Sequence, residues 1–211
     1  MRLTKKEADQ VIDILFDEYK DRKTELVHRN PFELLIATIL SAQTTDVRVN
    51  IVTKELFRRY PNPQSMSKAD TKDIEDLIKT VGLYRTKAKN IKNSSKILVI
   101  EYNGEVPKTR KELMKLPGVG RKTANVVMSN AFNIPAIAVD THVQRVSNRI
   151  GLAESKDVLR TEKQLEEIID KEKWNQAHHA LILHGRRVCK ARNPLCEECK
   201  LNSICLFYKE K

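Results

Sequence analysis

Four cysteines and one lysine–aspartate pair carry most of the chemistry open to this chain. Cys189, Cys196, Cys199 and Cys205 place four thiols within seventeen residues, with six, two and five residues between them. Thiols so close together point to one metal centre and not to a disulfide framework spread along a secreted chain. Zinc sites usually present paired short spacings, and only the middle pair here is Cys-x-x-Cys. Iron–sulfur clusters also take four thiolates, at varied spacing. Lys122 ends the run Leu116-Pro117-Gly118-Val119-Gly120-Arg121-Lys122, and Asp140 stands eighteen residues beyond it. A lysine amine becomes a nucleophile only once it has shed its proton. The first turn of a helix, where the positive end of the dipole lies, disfavours an ammonium, and the adjoining Arg121 acts in the same direction. Asp140 has two compatible uses. It caps its own helix, or it takes a proton from the amine and stabilises developing positive charge.

These residues need elements to hold them. Thr109 and Glu112 have capping-box spacing, which starts a short helix through Leu113 and Met114. Pro117 ends it, and Gly118 and Gly120 permit a tight turn. Thr123, Ala124, Val126, Val127 and Ala131 then recur at helical spacing from about Arg121. Such a hairpin leaves backbone N–H groups at the second helix's start, a ready anion site. Upstream, Thr4 and Glu7 open a helix whose stripe is Ala8, Val11, Ile12, Leu15 and Tyr19. Asn30-Pro31 opens a helix from Phe32 to about Leu40 that is apolar nearly all round, hence central and buried. Helices are expected from Val47 to Tyr60, from Ser67 to Thr80, and from Arg85 to Tyr102, the last with a basic face of Arg85, Lys87, Lys89, Lys92 and Lys96. Beyond Asn133-Ile134-Pro135, Val143, Val146 and Ile150 form a helix headed by Asp140. Two more follow, from Ser155 to Ile169 and from Lys173-Trp174 toward Arg187. No strand-like alternation, repeat or low-complexity tract intervenes, so the fold class is all-α.

Leu116-Pro117-Gly118-Val119-Gly120, followed by Arg121-Lys122-Thr123-Ala124, resembles the helix-hairpin-helix of base-excision DNA glycosylases. Val139-Asp140-Thr141-His142-Val143 resembles the aspartate half of that signature, and Leu40-Ser41-Ala42-Gln43 resembles a loop of the same family. The cysteine spacing resembles the one the endonuclease III family uses for a [4Fe–4S] cluster. The resemblance spans residue 25 to Cys205 and implies two helical lobes with a cleft between them. One is a barrel-like six-helix domain over 24–134 with the hairpin at 109–131; the other is a discontinuous iron–sulfur domain of 1–23 plus 135–211. It further implies that Lys122 displaces a damaged base at C1′ and forms an imine, with Asp140 as its carboxylate partner. Gln43 would fill the gap left by the swung-out nucleotide, with Ser41 and Asp46 as further pocket candidates. Leu83 would wedge into the stack, Gly118 and Gly120 would meet the DNA backbone, and His142 would lie near the lesion. The implied activity is a bifunctional N-glycosylase and abasic-site lyase acting, as a monomer, on double-stranded DNA with oxidised pyrimidines or abasic sites. A glycosylase without the lysine would use water and leave the strand whole, and a passive DNA-binding module would need neither Lys122 nor Asp140.

The whole chain agrees with such a partner. Its 211 residues carry 39 Lys and Arg against 28 Asp and Glu, a net charge of +11 that favours polyanions. The longest apolar run, Leu34 to Leu40, is far too short to cross a bilayer. No amphipathic helix unites the basic residues with large aromatics, which disfavours a membrane surface. With no signal-peptide pattern at Met1-Arg2-Leu3-Thr4-Lys5, the expected location is the cytoplasm, near the nucleoid in a prokaryote.

Overall fold

The computed structural model describes residues 2–210, and every regular element among them is helical. In chain order the first six helices are α1 (Lys5–Glu18), α2 (Pro31–Leu40), α3 (Asp46–Arg59), α4 (Pro63–Lys68), α5 (Thr71–Ile78) and α6 (Tyr84–Glu101). Then come α7 (Arg110–Leu113), α8 (Arg121–Phe132), α9 (Thr141–Ile150), α10 (Val158–Ile168), α11 (Trp174–Arg187) and α12 (Leu206–Lys209). The chain divides into two compact units: Thr24–Asn133, and the residues before Thr24 joined with those from Ile134 onward.

The Thr24–Asn133 unit is built around α2. Asn30 caps it by accepting from the Glu33 N–H, Pro31 occupies the first turn, and every residue from Phe32 to Leu40 is buried. Its core draws Leu34, Leu35, Ile36 and Leu40 together with Leu56, Met66, Ile74, Ile78, Ile91 and Leu98. The helix expected from Ser67 to Thr80 is two helices. Ala69 turns out of helical geometry at ψ 148°, and the Asp70 carboxylate accepts from the Lys72 N–H to start α5 afresh. A short acidic side chain that satisfies first-turn N–H groups favours a new start over a continuing helix.

The second unit packs α1, α9, α10 and α11 around Val11, Ile12, Leu15, Val143, Val146, Ile150, Leu165 and Leu181. Thr4 and Glu7 form the full capping box on α1. Helix α9 ends at Gly151 (φ 103°), where a Cβ would come within 2.5 Å of the Leu206 side chain. Gly185 lets α11 approach α9 closely, since a Cβ there would stand 3.0 Å from the His142 Cβ and the Val146 Cγ2. Among the described residues no helix is long and apolar enough to cross a membrane.

Candidate active site and cluster loop

The hairpin is held from below. Thr109 caps α7 through the Glu112 N–H, and Arg110 Nε donates to Asn125 Oδ1 at 2.7 Å, tying α7 to α8. Ser94 on α6 donates to the Pro117 carbonyl at 2.8 Å, fixing the turn from a third helix. Gly118 sits at φ +81°, and a Cβ there would lie 3.0 Å from Asn90 Nδ2 and 3.2 Å from Ile39 Cγ2. Backbone conformation and space therefore both demand glycine. Gly120 is the N-cap of α8 and makes no side-chain cap; a Cβ there would meet nothing within 4 Å. Gly120 itself thus brings no capping side chain to the first-turn N–H groups, the arrangement that suits a phosphate. Lys122 is the second residue of α8 and is exposed, while Ala124 to Ser129 beyond it are buried.

Two loops of the same unit lie side by side. Ser41 turns its hydroxyl back to the Thr38 carbonyl at 2.9 Å, and Thr45 caps α3, of which Asp46 is the first residue. Between them, exposed Gln43 adopts a left-handed conformation at φ 55°. Leu83, at the head of α6, is also left-handed (φ 58°) and 63% exposed. It therefore does not plug the core. The loops approach so closely that a Cβ on Gly82 would lie 3.4 Å from the Gln43 carbonyl. Lys87 holds the loop that carries Gln43. Its ammonium donates to the Leu40 carbonyl (2.9 Å), the Ala42 carbonyl (2.5 Å) and Thr44 Oγ1 (3.2 Å). Lys87 does not share the basic face expected of this helix: only 4% of it is exposed, and burial pushes its amine down. The spacing held the clue: Lys87 precedes buried Ile91 by one helical turn, whereas Arg85, Lys89 and Lys96 are exposed.

In the second unit, Asp140 caps α9. Its Oδ1 accepts from the His142 and Val143 N–H groups, both at 2.8 Å, and its Oδ2 lies 3.3 Å from His142 Nδ1. One oxygen is spent on the helix, and the other faces the His142 ring. The same helix grips the cysteine loop, which the sequence reading did not anticipate. Arg145 donates to the Gly185 carbonyl at 2.9 Å and to the Cys189 carbonyl at 3.2 Å. Arg149 donates to the Lys190 carbonyl at 2.7 Å and the Ala191 carbonyl at 3.1 Å, and stacks over Phe207 at 4.7 Å. Two arginines four residues apart, on the turns after Asp140, were the available signal.

Cys189, Cys196, Cys199 and Cys205 are all unpaired by disulfide and line one hollow with Leu195, Leu201, Phe207 and Tyr208. Among the described residues no three His, Cys, Asp or Glu side chains converge on a single ion-sized point. Burial pushes the Cys199 and Cys205 thiols up; charge on Cys189 and Cys196 adds to both, and charge on Cys205 adds further to Cys199. Four thiolates that repel one another across a small space call for a shared positive centre, so the donor set fits a four-thiolate cluster. Polar groups reach the sulfurs from behind. Arg149 Nη1 lies 3.7 Å from the Cys189 sulfur, and His184 Nε2 lies 3.6 Å from the Cys199 sulfur. The other ring nitrogen of His184 pairs with the Tyr19 hydroxyl at 3.0 Å. Burial pushes the His184 ring down to about 4, so it is neutral at pH 7. A hydroxyl donating to Nδ1 leaves Nε2–H to face the sulfur, the usual way an outer partner orients a ligand set. His178 and His179 are buried within α11.

Comparison with known proteins gives a consistent result. Residues 36–171 match the family model described as HhH-GPD superfamily base excision DNA repair protein, and residues 189–205 match the iron-sulfur binding domain of endonuclease III. The chain is 52% identical over 204 residues to endonuclease III of Bacillus subtilis (strain 168), covering 96% of this chain and 93% of that one. It is 46% identical over 182 residues to endonuclease III of Thermotoga maritima, covering 86% and 85%. A structure of a trapped endonuclease III–DNA covalent intermediate superposes with a TM-score of 0.94 at 52% identity, covering 99% of this chain and 98% of that one. A thermostable thymine-DNA glycosylase superposes with a TM-score of 0.89 at 26% identity, covering 98% of each chain. Helical fold, glycine hairpin and four-cysteine loop therefore have one explanation: the chain belongs to the endonuclease III family, the DNA glycosylase/lyases of base-excision repair that carry a [4Fe–4S] cluster.

Proposed function

We propose that Lys122 is the nucleophile and Asp140 its carboxylate partner in the removal of oxidised or ring-broken pyrimidines from duplex DNA by a single copy of the chain. The observation that carries the assignment is an exposed lysine in the first turn of α8, directly behind a turn whose N-cap is a glycine. Phosphates seated at that turn would deliver a deoxyribose to the amine. The Lys122 nitrogen, once deprotonated, bonds to C1′ as the glycosidic C1′–N bond breaks, and the base leaves with that electron pair and a proton. Asp140 takes the second proton from the nitrogen and balances the positive charge that develops on the sugar. As the nitrogen lone pair forms the C=N bond, the C1′–O4′ bond breaks and O4′ takes back the proton held by Asp140, so the opened sugar is a protonated imine. Loss of a C2′ proton then expels the 3′ phosphate, cutting the strand, and water releases the lysine.

Around this centre the units divide the work. The Thr24–Asn133 unit supplies Lys122, Gly118 and Gly120 to the backbone, Leu83 as the wedge and Gln43 to fill the gap, with Ser41 and Asp46 beside it. The other unit supplies Asp140 and His142 near the lesion. Cys189, Cys196, Cys199 and Cys205 would hold the cluster, whose contribution is four iron–sulfur bonds tying down a loop that bears exposed Lys190 and Arg192. Borohydride reduction tests the nucleophile. The parent protein should be trapped as a covalent adduct with DNA carrying an oxidised pyrimidine, and Lys122→Gln should give none. Undiminished trapping in that variant removes Lys122 from the reaction.

A further inference from the structure

We infer that Lys87 is a positioning residue for excision, its buried ammonium presetting the loop that carries Gln43 and joining it to the turn that carries Leu83. The inference deepens the reading above, since it rests on Gln43 being the group that enters the gap.

An ammonium taken out of water is costly, and a methionine would fill the same space without that cost. A methionine would, however, leave the Leu40 carbonyl at the end of α2 and the Ala42 carbonyl without this donor. What the ammonium does that an apolar side chain cannot is donate three hydrogen bonds at once. All three go to one short segment, Leu40, Ala42 and Thr44, and none goes to a carboxylate. Three donors meet three acceptors, so the group is satisfied by that segment alone.

The segment needs such a clasp. Gln43 lies between the clasped residues in a left-handed conformation that a side chain-bearing residue holds only when its surroundings fix it. The loop's own bonds are sparse: the Thr44 N–H donates to Ser41, and the Thr44 hydroxyl reaches the Ala42 carbonyl at 3.4 Å. Lys87 also faces the other way along the chain. Its backbone N–H donates to the Leu83 carbonyl at 3.0 Å, the first helical bond after the left-handed turn. One residue therefore sets the relative place of the two exposed side chains, Gln43 through its side chain and Leu83 through its backbone. A loop fixed before DNA arrives does not have to be ordered at the moment of insertion, which favours the extrahelical state over the stacked one.

The test uses the full-length, cluster-loaded protein and a duplex with a non-cleavable abasic analogue opposite 2-aminopurine, whose fluorescence reports what occupies the gap. Gln43→Ala, Lys87→Met, Lys87→Arg and the Gln43→Ala/Lys87→Met double variant are compared, with single-turnover base release, melting and undamaged-duplex affinity alongside. Lys87→Met should abolish most of the fluorescence change and slow base release roughly 10- to 100-fold, the range that one or two charge-assisted hydrogen bonds supply. Affinity for undamaged duplex should move by less than about threefold, since no phosphate contact is lost. Lys87→Arg should restore most of the signal, and the double variant should be no worse than Gln43→Ala. A full signal and rate in Lys87→Met, with both lost in Gln43→Ala, overturns the positioning role and leaves the Gln43 reading intact. No effect of Gln43→Ala sinks the gap-filling reading itself. Should Lys87→Met fail to fold, Thr44→Val keeps the lysine and removes one acceptor. A severalfold slower base release at unchanged melting is expected for it, and an unchanged rate overturns the inference.

Discussion

Replacing Leu83 by glycine separates a residue kept for the fold from one kept for the substrate. Leu83 is left-handed at φ 58° and 63% exposed. Relieving that conformation returns about 1–2 kcal/mol. Glycine's greater freedom in the unfolded chain costs about 0.5–1 kcal/mol. A little over a third of the side chain is buried, so its loss forfeits about 0.5–1 kcal/mol of a leucine's full burial. The three terms leave stability within about 1 kcal/mol of the parent, whereas truncating a core leucine such as Leu40 costs about 2–5 kcal/mol. Single-turnover base release should nevertheless fall roughly 10- to 100-fold, because a wedge offsets the few kcal/mol of unstacking that extrusion requires. Urea denaturation and a quenched-flow excision assay on one preparation measure both quantities. A loss of 3 kcal/mol or more in stability, or an unchanged excision rate, would refute the assignment.

Asp140→Asn should keep the α9 cap, since asparagine caps as well as aspartate, and so shift the melting free energy by less than about 1 kcal/mol. Base release should drop roughly 100-fold or more, the scale of a lost general base, with duplex binding read by anisotropy largely kept. Gly118→Ala should cost about 1–3 kcal/mol by urea denaturation, from a strained φ and a Cβ crowded against Asn90 and Ile39, and should weaken duplex binding in parallel. Burial and the charge of His178 push the His179 ring down to about 3 from an ordinary 6.5, so the unfolded chain takes up that proton first and stability falls as pH drops from 6.5 toward 3. Between pH 7 and pH 5 His179→Gln should therefore lose about 2 kcal/mol less than the parent, and equal losses would exclude the ring as the source. Cys199→Ser should lower iron content and the absorption in the visible blue, and melt earlier than the parent.

Much of this was readable before any coordinates. The hairpin, the Asp140 cap and the buried α2 follow from local rules: proline and glycine fix a turn, a short polar side chain fixes a helix start, and an all-round apolar helix must be central. The cysteine spacing alone pointed to a metal centre, and its resemblance to the endonuclease III family decided for an iron–sulfur cluster. Two features were not readable because they depend on what a side chain meets across space. Lys87 looked like one more cation on a basic face, since charge says nothing about which side of a helix the chain will cover. The split of residues 67–80 into two helices turned on Asp70 preferring to cap, where periodicity alone favoured a longer helix. Arg145 and Arg149 were likewise invisible as loop anchors, because their acceptors are carbonyls some forty residues away.

The ten-residue rod Thr141–Ile150 has a further consequence. Its head presents Asp140, and along its length two guanidinium groups are fastened to carbonyls of the segment that begins at Cys189. Loosening of that segment would release Arg149 from the Lys190 and Ala191 carbonyls and leave Arg145 its bonds to the Gly185 and Thr141 carbonyls, on the same rod that carries Asp140. Disorder of the cysteine segment should therefore reach the head of this helix, and not stay confined to the tail.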